Sequence, residues 1–273
     1  MLSISQLYIY PIKSLGGIAV NTALITDRGL KNDRRFMVVD ANGLFLTQRE
    51  RPLMALLRTA IEADVLIVWH KDHQSDKLRL QLEPQPSLSV KIVKVWDDYC
   101  EAQYVSDEAD KWFSEKLNSP CRLLYMPEST KRMVDPVYAL SNDITSFSDG
   151  YPVLLIGQSS LDDLNGRMTE ALPMDRFRPN IVMAGGTPFE EDSLEQFSVS
   201  GINFYGVKLC ARCVVTTTNQ ETGVTGKEPL KTLATYRLAN NKVYFGQNVL
   251  CRGEGLITAG DEIFVIKRKQ GLG

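Results

Sequence analysis

Short apolar runs, broken every few residues by turn-forming residues, constrain this chain more than any other feature. Leu7 and Ile9 alternate with Tyr8 and Tyr10, Pro11 to Gly17 turn the chain, and Ala19 to Thr26 reads as a second strand. Phe36 to Val39, Asp40-Ala41-Asn42-Gly43 and Leu44 to Leu46 together predict a hairpin closed by a glycine-containing loop. Further strands are expected at Ile61 to His70, Leu78 to Leu82, Cys121 to Tyr125, Pro152 to Ile156 and Asn180 to Met183. Five more follow at Phe197 to Val199, Ile202 to Leu209, Cys210 to Thr218, Val243 to Phe245 and Ile263 to Ile266.

Helical spacing is scarce. Ser106 can cap a helix whose Ala109, Trp112, Phe113 and Leu117 share one face before Ser119-Pro120 ends it. A second helix is expected from Ser159 to Met168, with Leu161, Leu164 and Met168 inward, and the polar stretch Pro127 to Asp149 reads as a long ordered loop. The pattern predicts a mainly β fold with a few helices (α+β), barrel-like in architecture. The helix ending at Pro120 suggests a junction between residues 1–120 and 121–273.

Composition narrows the partners. With 44% hydrophobic and 23% charged residues over 273 positions, the chain has the usage of a soluble globular protein of one large or two ordinary domains. A net charge of −2 argues against a general nucleic-acid binder, and Lys267-Arg268-Lys269 reads as a solvated basic end. No apolar run approaches the roughly 20 residues of a membrane span. Met1 to Tyr10 lacks a secretory pattern, and five cysteines without small-scaffold spacing suit a reducing compartment, so a cytoplasmic location is expected.

Two thiols are the chemical focus. Cys210 and Cys213 flank Arg212 in Leu-Cys-Ala-Arg-Cys-Val-Val-Thr-Thr-Thr, which reads as one continuous strand. A thiolate is the form that binds a soft metal, and a guanidinium beside it can pair with an anionic ligand. The pair fits half of a zinc site, a redox dithiol, a single ligating thiol with a bystander, or two buried structural cysteines. Zinc would need ligands among Cys100, Cys121, Cys251, His70 and His73, none of which repeats the spacing. A redox dithiol belongs where a strand meets a helix, which the expected continuation as strand disfavours. The two histidines lie in a polar stretch and read as surface residues, so a Ser-His-Asp or Cys-His mechanism has little support.

Polar clusters recur at the turns: Tyr-Pro-Ile-Lys13-Ser14, Asp33-Arg34-Arg35-Phe-Met-Val-Val-Asp, Phe-Ser148-Asp149-Gly-Tyr-Pro, Arg176-Phe-Arg178-Pro-Asn180-Ile-Val, Cys210-Ala-Arg212-Cys213-Val-Val-Thr-Thr-Thr-Asn-Gln-Glu-Thr-Gly and Phe-Gly-Gln247-Asn248. In this order they resemble the signatures of MOSC-domain proteins. The likeness spans nearly the whole chain and is to the group with an additional N-terminal β-barrel domain, which includes amidoxime-reducing components and bacterial N-hydroxylamine-reducing proteins.

The resemblance implies a β-barrel MOSC domain at 121–273, a β-rich MOSC-associated domain at 1–120, and a molybdenum cofactor whose metal is held by a pterin dithiolene and one protein cysteine, here Cys213. It implies that Lys13, Ser14, Arg35, Ser148, Asp149, Arg178, Asn180, Arg212 and Asn248 surround the cofactor, with Gln247 close by. Asn248 stands where the likeness leads one to expect an aromatic residue. The implied reaction is two-electron reduction of N-hydroxylated compounds (amidoximes, hydroxylamines, N-hydroxylated bases) to amines or amidines with release of water. This small-molecule reaction implies a role in detoxification. Because only Cys251 follows Cys213, an external electron donor is expected, a ferredoxin-like or cytochrome partner with a flavin reductase. The resemblance also brings a pyridoxal phosphate association, and a non-catalytic cofactor or sulfur carrier is the alternative role.

Overall fold

The computed structural model describes residues 1–85 and 89–272. Its largest sheet has nine strands. Along it lie Ile18–Val20, Ser3–Ile9, Ile181–Ala184, Val153–Gly157, Lys242–Arg252, Ile202–Ala211, Leu194–Val199 and Phe264–Arg268, with Leu238–Ala239 paired onto Lys242–Arg252. Neighbours are antiparallel except Val153–Gly157 and Ile181–Ala184, a parallel pair linked by a crossover that contains the helix Gln158–Gly166. Ile4 donates its amide to the Asp261 carbonyl, and Gly260 and Ile263 donate to Ile4 and Leu2. The sheet therefore curls until the segment that leads into Phe264–Arg268 bonds to Ser3–Ile9, forming a barrel.

Alternation along the strands fills two layers. Ile181 and Met183 join Leu7, Leu155, Phe197 and Phe204 in the barrel interior, whereas Val182 joins Ile156, Leu161, Leu164, Phe177 and Phe245 beneath the helix. Phe36–Val39 is buried on both faces for the same reason. Phe36 and Val38 pack with Leu66, Trp112, Phe113 and Leu123, and Met37 and Val39 with Val93, Val95 and Leu124. That strand leads the sheet Phe36–Val39, Arg122–Tyr125, Asp98–Tyr104 and Val90–Val95, beside a meander of Leu57–Glu62, Val65–His70 and His73–Gln81. Strand pairing crosses residue 120 in both directions. Arg122–Tyr125 pairs with Phe36–Val39, while Ser3–Ile9 and Thr22–Thr26 pair with Ile181–Ala184 and Gly255–Thr258.

The helix Asp107–Leu117 has its expected cap, Ser106 Oγ accepting from the Ala109 amide at 3.1 Å. The hairpin at Asp40 to Gly43 is closed by Asp40 N to Leu44 O and Leu46 N to Val38 O, each 2.8 Å. Four expectations need correction. Ala19 to Thr26 is two strands parted at Asn21, and Ile61 to His70 is two strands turning at Ala63, whose φ is 52°. Lys267 and Arg268 lie in a strand and pair with Glu195 and Glu190 rather than forming a free basic end.

The fourth correction concerns the cysteines. The strand Ile202–Ala211 ends between them, and Val214–Thr217 is a 3-10 turn that Cys213 precedes. Thr216 and Thr217 return their hydroxyls to the Cys213 and Val214 carbonyls, and Arg176 holds the Thr216 carbonyl at 2.9 Å. Local hydroxyl bonding and a buried arginine thus override the β propensity of Val-Val-Thr-Thr-Thr. Continuation as strand therefore gives no ground against a dithiol.

Candidate functional site

Six turns and strand ends converge on a cavity of about 300 Å³. Lys13 and Ser14 arrive from the turn after the first strand, Arg34 from the turn before Phe36–Val39, and Ser148 and Asp149 from the loop before Val153–Gly157. Arg178 and Asn180 precede Ile181–Ala184, Cys210 to Cys213 end the strand Ile202–Ala211, and Asn248 lies within Lys242–Arg252. Ser14, Arg34, Trp96 and Arg178 all line this cavity with φ of 49 to 68°, a left-handed backbone that side chains larger than glycine rarely adopt. Such strain, about 1–3 kcal/mol per residue, concentrates where function holds it.

The cations are aimed by buried partners. Asp33 accepts the Tyr10 amide at 2.8 Å and Arg34 Nη1 at 2.6 Å. Arg34 also reaches Asn180 Oδ1, which accepts in addition from the Leu154 amide, while Asn180 Nδ2 donates to the Tyr8 carbonyl. The Asn180 amide is thus spent on holding Arg34 and two further chain segments. Arg178 Nη1 donates to the Leu15 carbonyl at 2.6 Å, and the guanidinium carbons of Arg34 and Arg178 lie 4.4 and 4.2 Å from the Tyr10 ring centre. Burial lowers the Arg178 pKa to about 10. Arg178 Nη2 and Arg212 Nε are buried without a partner among the described residues.

Lys13 donates to the Phe147 carbonyl at 2.7 Å and to Asp149 Oδ1 at 2.6 Å. Burial pulls the Lys13 ammonium below its usual value, and the Asp149 charge opposes that pull. Although partial desolvation works to raise the Asp149 pKa, the Lys13 charge and hydrogen bond, the Trp96 indole and the Arg49 charge together hold the carboxyl well below its ordinary range. Arg132, itself buried, fixes this loop by donating to the Ser146, Ser148 and Asp149 carbonyls. The Ser148 hydroxyl is engaged with Thr145.

At the thiols, Arg212 Nη1 donates to Cys210 Sγ at 3.1 Å and Nη2 to the Phe177 carbonyl at 2.6 Å. Both cysteines are half-buried and line the cavity. Cys100, Cys121 and Cys251 are buried in other parts of the fold, and among the described residues no three His, Cys, Asp or Glu side chains gather as a metal site.

The structure gathers nine of the ten expected residues and separates one: Lys13, Ser14, Ser148, Asp149, Arg178, Asn180, Arg212, Cys213 and Asn248 line the cavity. Arg35 does not. It turns to Glu128 and the Met126 carbonyl, each at 2.5 Å, because the left-handed turn at Arg34 sends the two adjacent side chains apart. Gln247 is buried beside Gly206, outside the lining, with both amide atoms unpartnered. Arg34, Thr47, Arg49, Trp96, Tyr151 and Lys208 line the site and were not expected there. Of these, Arg34 and Tyr151 sat in motifs that pointed to the site.

Comparison with known proteins decides the family. The MOSC N-terminal beta barrel domain matches residues 1–120 and the MOSC domain residues 142–264. Mitochondrial amidoxime-reducing component 1 of Mus musculus is 30% identical over 97% of this chain and 82% of its own length. The chain is a MOSC-domain protein. Other MOSC relatives include mitochondrial amidoxime reducing component 2 of Bos taurus, 32% identical over 87% of this chain and 73% of its own length. Molybdenum cofactor sulfurase of Oryza sativa subsp. japonica is 31% identical over 89% of this chain and 32% of its own length. The solved YUAD protein of Bacillus subtilis is 10% identical, with a TM-score of 0.44 over 96% of this chain and 94% of its own. The mainly β architecture is that of a MOSC protein with its N-terminal barrel domain. Among the described residues of this MOSC chain, no helix is long and apolar enough to cross a membrane.

Proposed function

We propose that the chain binds a molybdenum cofactor through Cys213 and reduces small N-hydroxylated compounds with electrons from a separate donor protein. The observation that carries this reading is the cavity wall itself, which brings together the Cys213 thiol and the guanidinium groups of Arg178 and Arg212, each with one buried nitrogen that has no partner among the described residues. Buried polar groups seek partners, and guanidinium forks match phosphate. A soft thiolate beside such forks suits an anionic group that carries a soft metal. The residues present therefore fit the cofactor that the name of one relative, molybdenum cofactor sulfurase, mentions.

When bound, that cofactor supplies two-electron reduction of an N–O bond, with release of water. Cys213 would hold the metal, while Arg178, Arg34 and Lys13 would hold the anionic part. Arg212 ties Cys210 to the Phe177 carbonyl and so fixes the loop from which Cys213 projects. Asp149 stays ionised beside Lys13 at neutral pH, so its part is to keep that ammonium in place rather than to donate a proton. We propose no role for pyridoxal phosphate.

The deciding experiment is metal and pterin analysis of protein expressed with a cofactor source, followed by turnover of benzamidoxime with reduced viologen. Bound cofactor with turnover supports the reductase. Bound cofactor without turnover favours a carrier, and protein that takes up no cofactor defeats both. NADH alone should support no turnover, and activity should appear when a flavin reductase and a ferredoxin-like or cytochrome partner are added.

A further inference from the structure

The cavity wall carries far more positive than negative charge. Lys13, Arg34, Arg49, Arg178, Lys208 and Arg212 line it against one carboxylate, Asp149, in a chain whose net charge is −2. Lys13, Arg34, Arg178 and Arg212 donate to protein oxygens, whereas the other two cations are seated on aromatic rings. Arg49 lies with its guanidinium carbon 4.1 Å from the Trp96 ring centre, and Lys208 Nζ lies 4.2 Å from Tyr138 and 5.7 Å from Tyr151. Neither forms an ion pair among the described residues. An aromatic face seats a cation without cancelling its charge, so both remain available to an anion entering the cavity.

Trp96 is placed on purpose. It occupies the turn between Val90–Val95 and Asp98–Tyr104 at φ 58°, a conformation that bulky side chains rarely adopt. The edge-on Phe45 ring at 4.9 Å, the Arg49 stack and the indole hydrogen bond to Asp149 at 3.2 Å keep it there. Trp96 and Tyr151 give the wall two planar apolar faces beside the two seated cations.

We propose that Arg49 and Lys208, seated on Trp96 and on Tyr138 and Tyr151, form an anion-selecting rim that favours planar N-hydroxylated substrates bearing a carboxylate remote from the N–O bond. This rests on the reductase reading for its substrate and on the rim alone for its charge preference.

The test compares kcat/KM for 4-carboxybenzamidoxime, benzamidoxime and 4-(aminomethyl)benzamidoxime in loaded protein with reduced viologen. A preference of about tenfold for the carboxylate over the neutral compound is expected, carried by KM and weakened by salt. The ratio should fall towards one in Arg49→Ala and Lys208→Ala and invert in the Arg49→Glu/Lys208→Glu double variant. Because each ratio is taken within one preparation, cofactor loading cancels. Calorimetric binding of benzoate against benzamide provides a readout without turnover, and benzoate preference lost in the double variant supports the rim. If benzamidoxime is not reduced while that preference holds, the reductase reading fails and the rim stands. Equal handling of charged and neutral compounds by the wild type, or a preference that survives in the double variant, overturns the rim.

Discussion

Arg212 donates to the sulfur of Cys210 at 3.1 Å, and no side chain among the described residues donates to the sulfur of Cys213. Two thiols three positions apart therefore stand in different chemical states, one engaged as an acceptor within the protein and the other open to the cavity. Cys213→Ser should reduce molybdenum-dependent turnover to background while leaving the melting temperature unchanged. Cys210→Ser should keep most activity, because a serine hydroxyl still accepts from Arg212. Equal loss in both variants, measured with benzamidoxime at matched metal content, would point instead to a dithiol.

Arg178→Ala should lower pterin occupancy roughly tenfold or more, since a charge-assisted hydrogen bond contributes about 1.5–3 kcal/mol. The melting temperature of the cofactor-free variant should fall little, because removing a half-buried cation with one unpartnered buried nitrogen offsets the lost bond to Leu15. Normal occupancy on pterin analysis would make Arg178 a structural residue.

The adjacent pair Arg34 and Arg35 should part company on mutation. Arg34→Ala removes a cavity cation stacked on Tyr10 and should lower occupancy. Arg35→Ala should leave occupancy intact and cost about 2 kcal/mol of stability through its lost bonds to Met126 and Glu128. Denaturant unfolding beside pterin analysis separates the two, and loss of occupancy in Arg35→Ala with stability unchanged would refute the assignment.

Glu191 sets a pH dependence of folding. Burial raises its pKa to about 7, against the opposing hydrogen bonds from the Gly157 amide and the Ser160 hydroxyl. An acid raised in the folded state stabilises fully below its unfolded pKa of about 4.5 and loses that contribution as pH climbs through about 7. The contribution amounts to about 3 kcal/mol. Glu191→Gln should flatten this part of the stability profile between pH 4.5 and 7, and chemical denaturation at several pH values would reveal an unchanged slope if Glu191 is not responsible.

Sequence patterns exposed those parts of the fold that one segment decides alone. The face of Ala109, Trp112, Phe113 and Leu117 needed only helical spacing, and Leu7 with Ile9 needed only alternation. Val214 to Thr217 misled because the local preference of β-branched residues lost to Arg176, which lies 40 positions from the Thr216 carbonyl it binds. At the site, motif residues came together because each turn delivers its own. The choice between Arg34 and Arg35 rested on one left-handed turn, and Arg49, Trp96 and Lys208 met only through the folding of three unrelated segments.

The strand Ser3–Ile9 sits between Ile18–Val20 and Ile181–Ala184, and Ser5 reaches the Val182 carbonyl across 177 residues. During synthesis this strand leaves the ribosome long before its main neighbour exists, with an unpaired edge exposed in the meantime. Barrel closure is therefore a late, long-range event, and pairings so distant in sequence are slow to form. Cys213 and the other cavity residues drawn from the second half come together with that closure, so the proposed cofactor would find its cavity only once the barrel has closed.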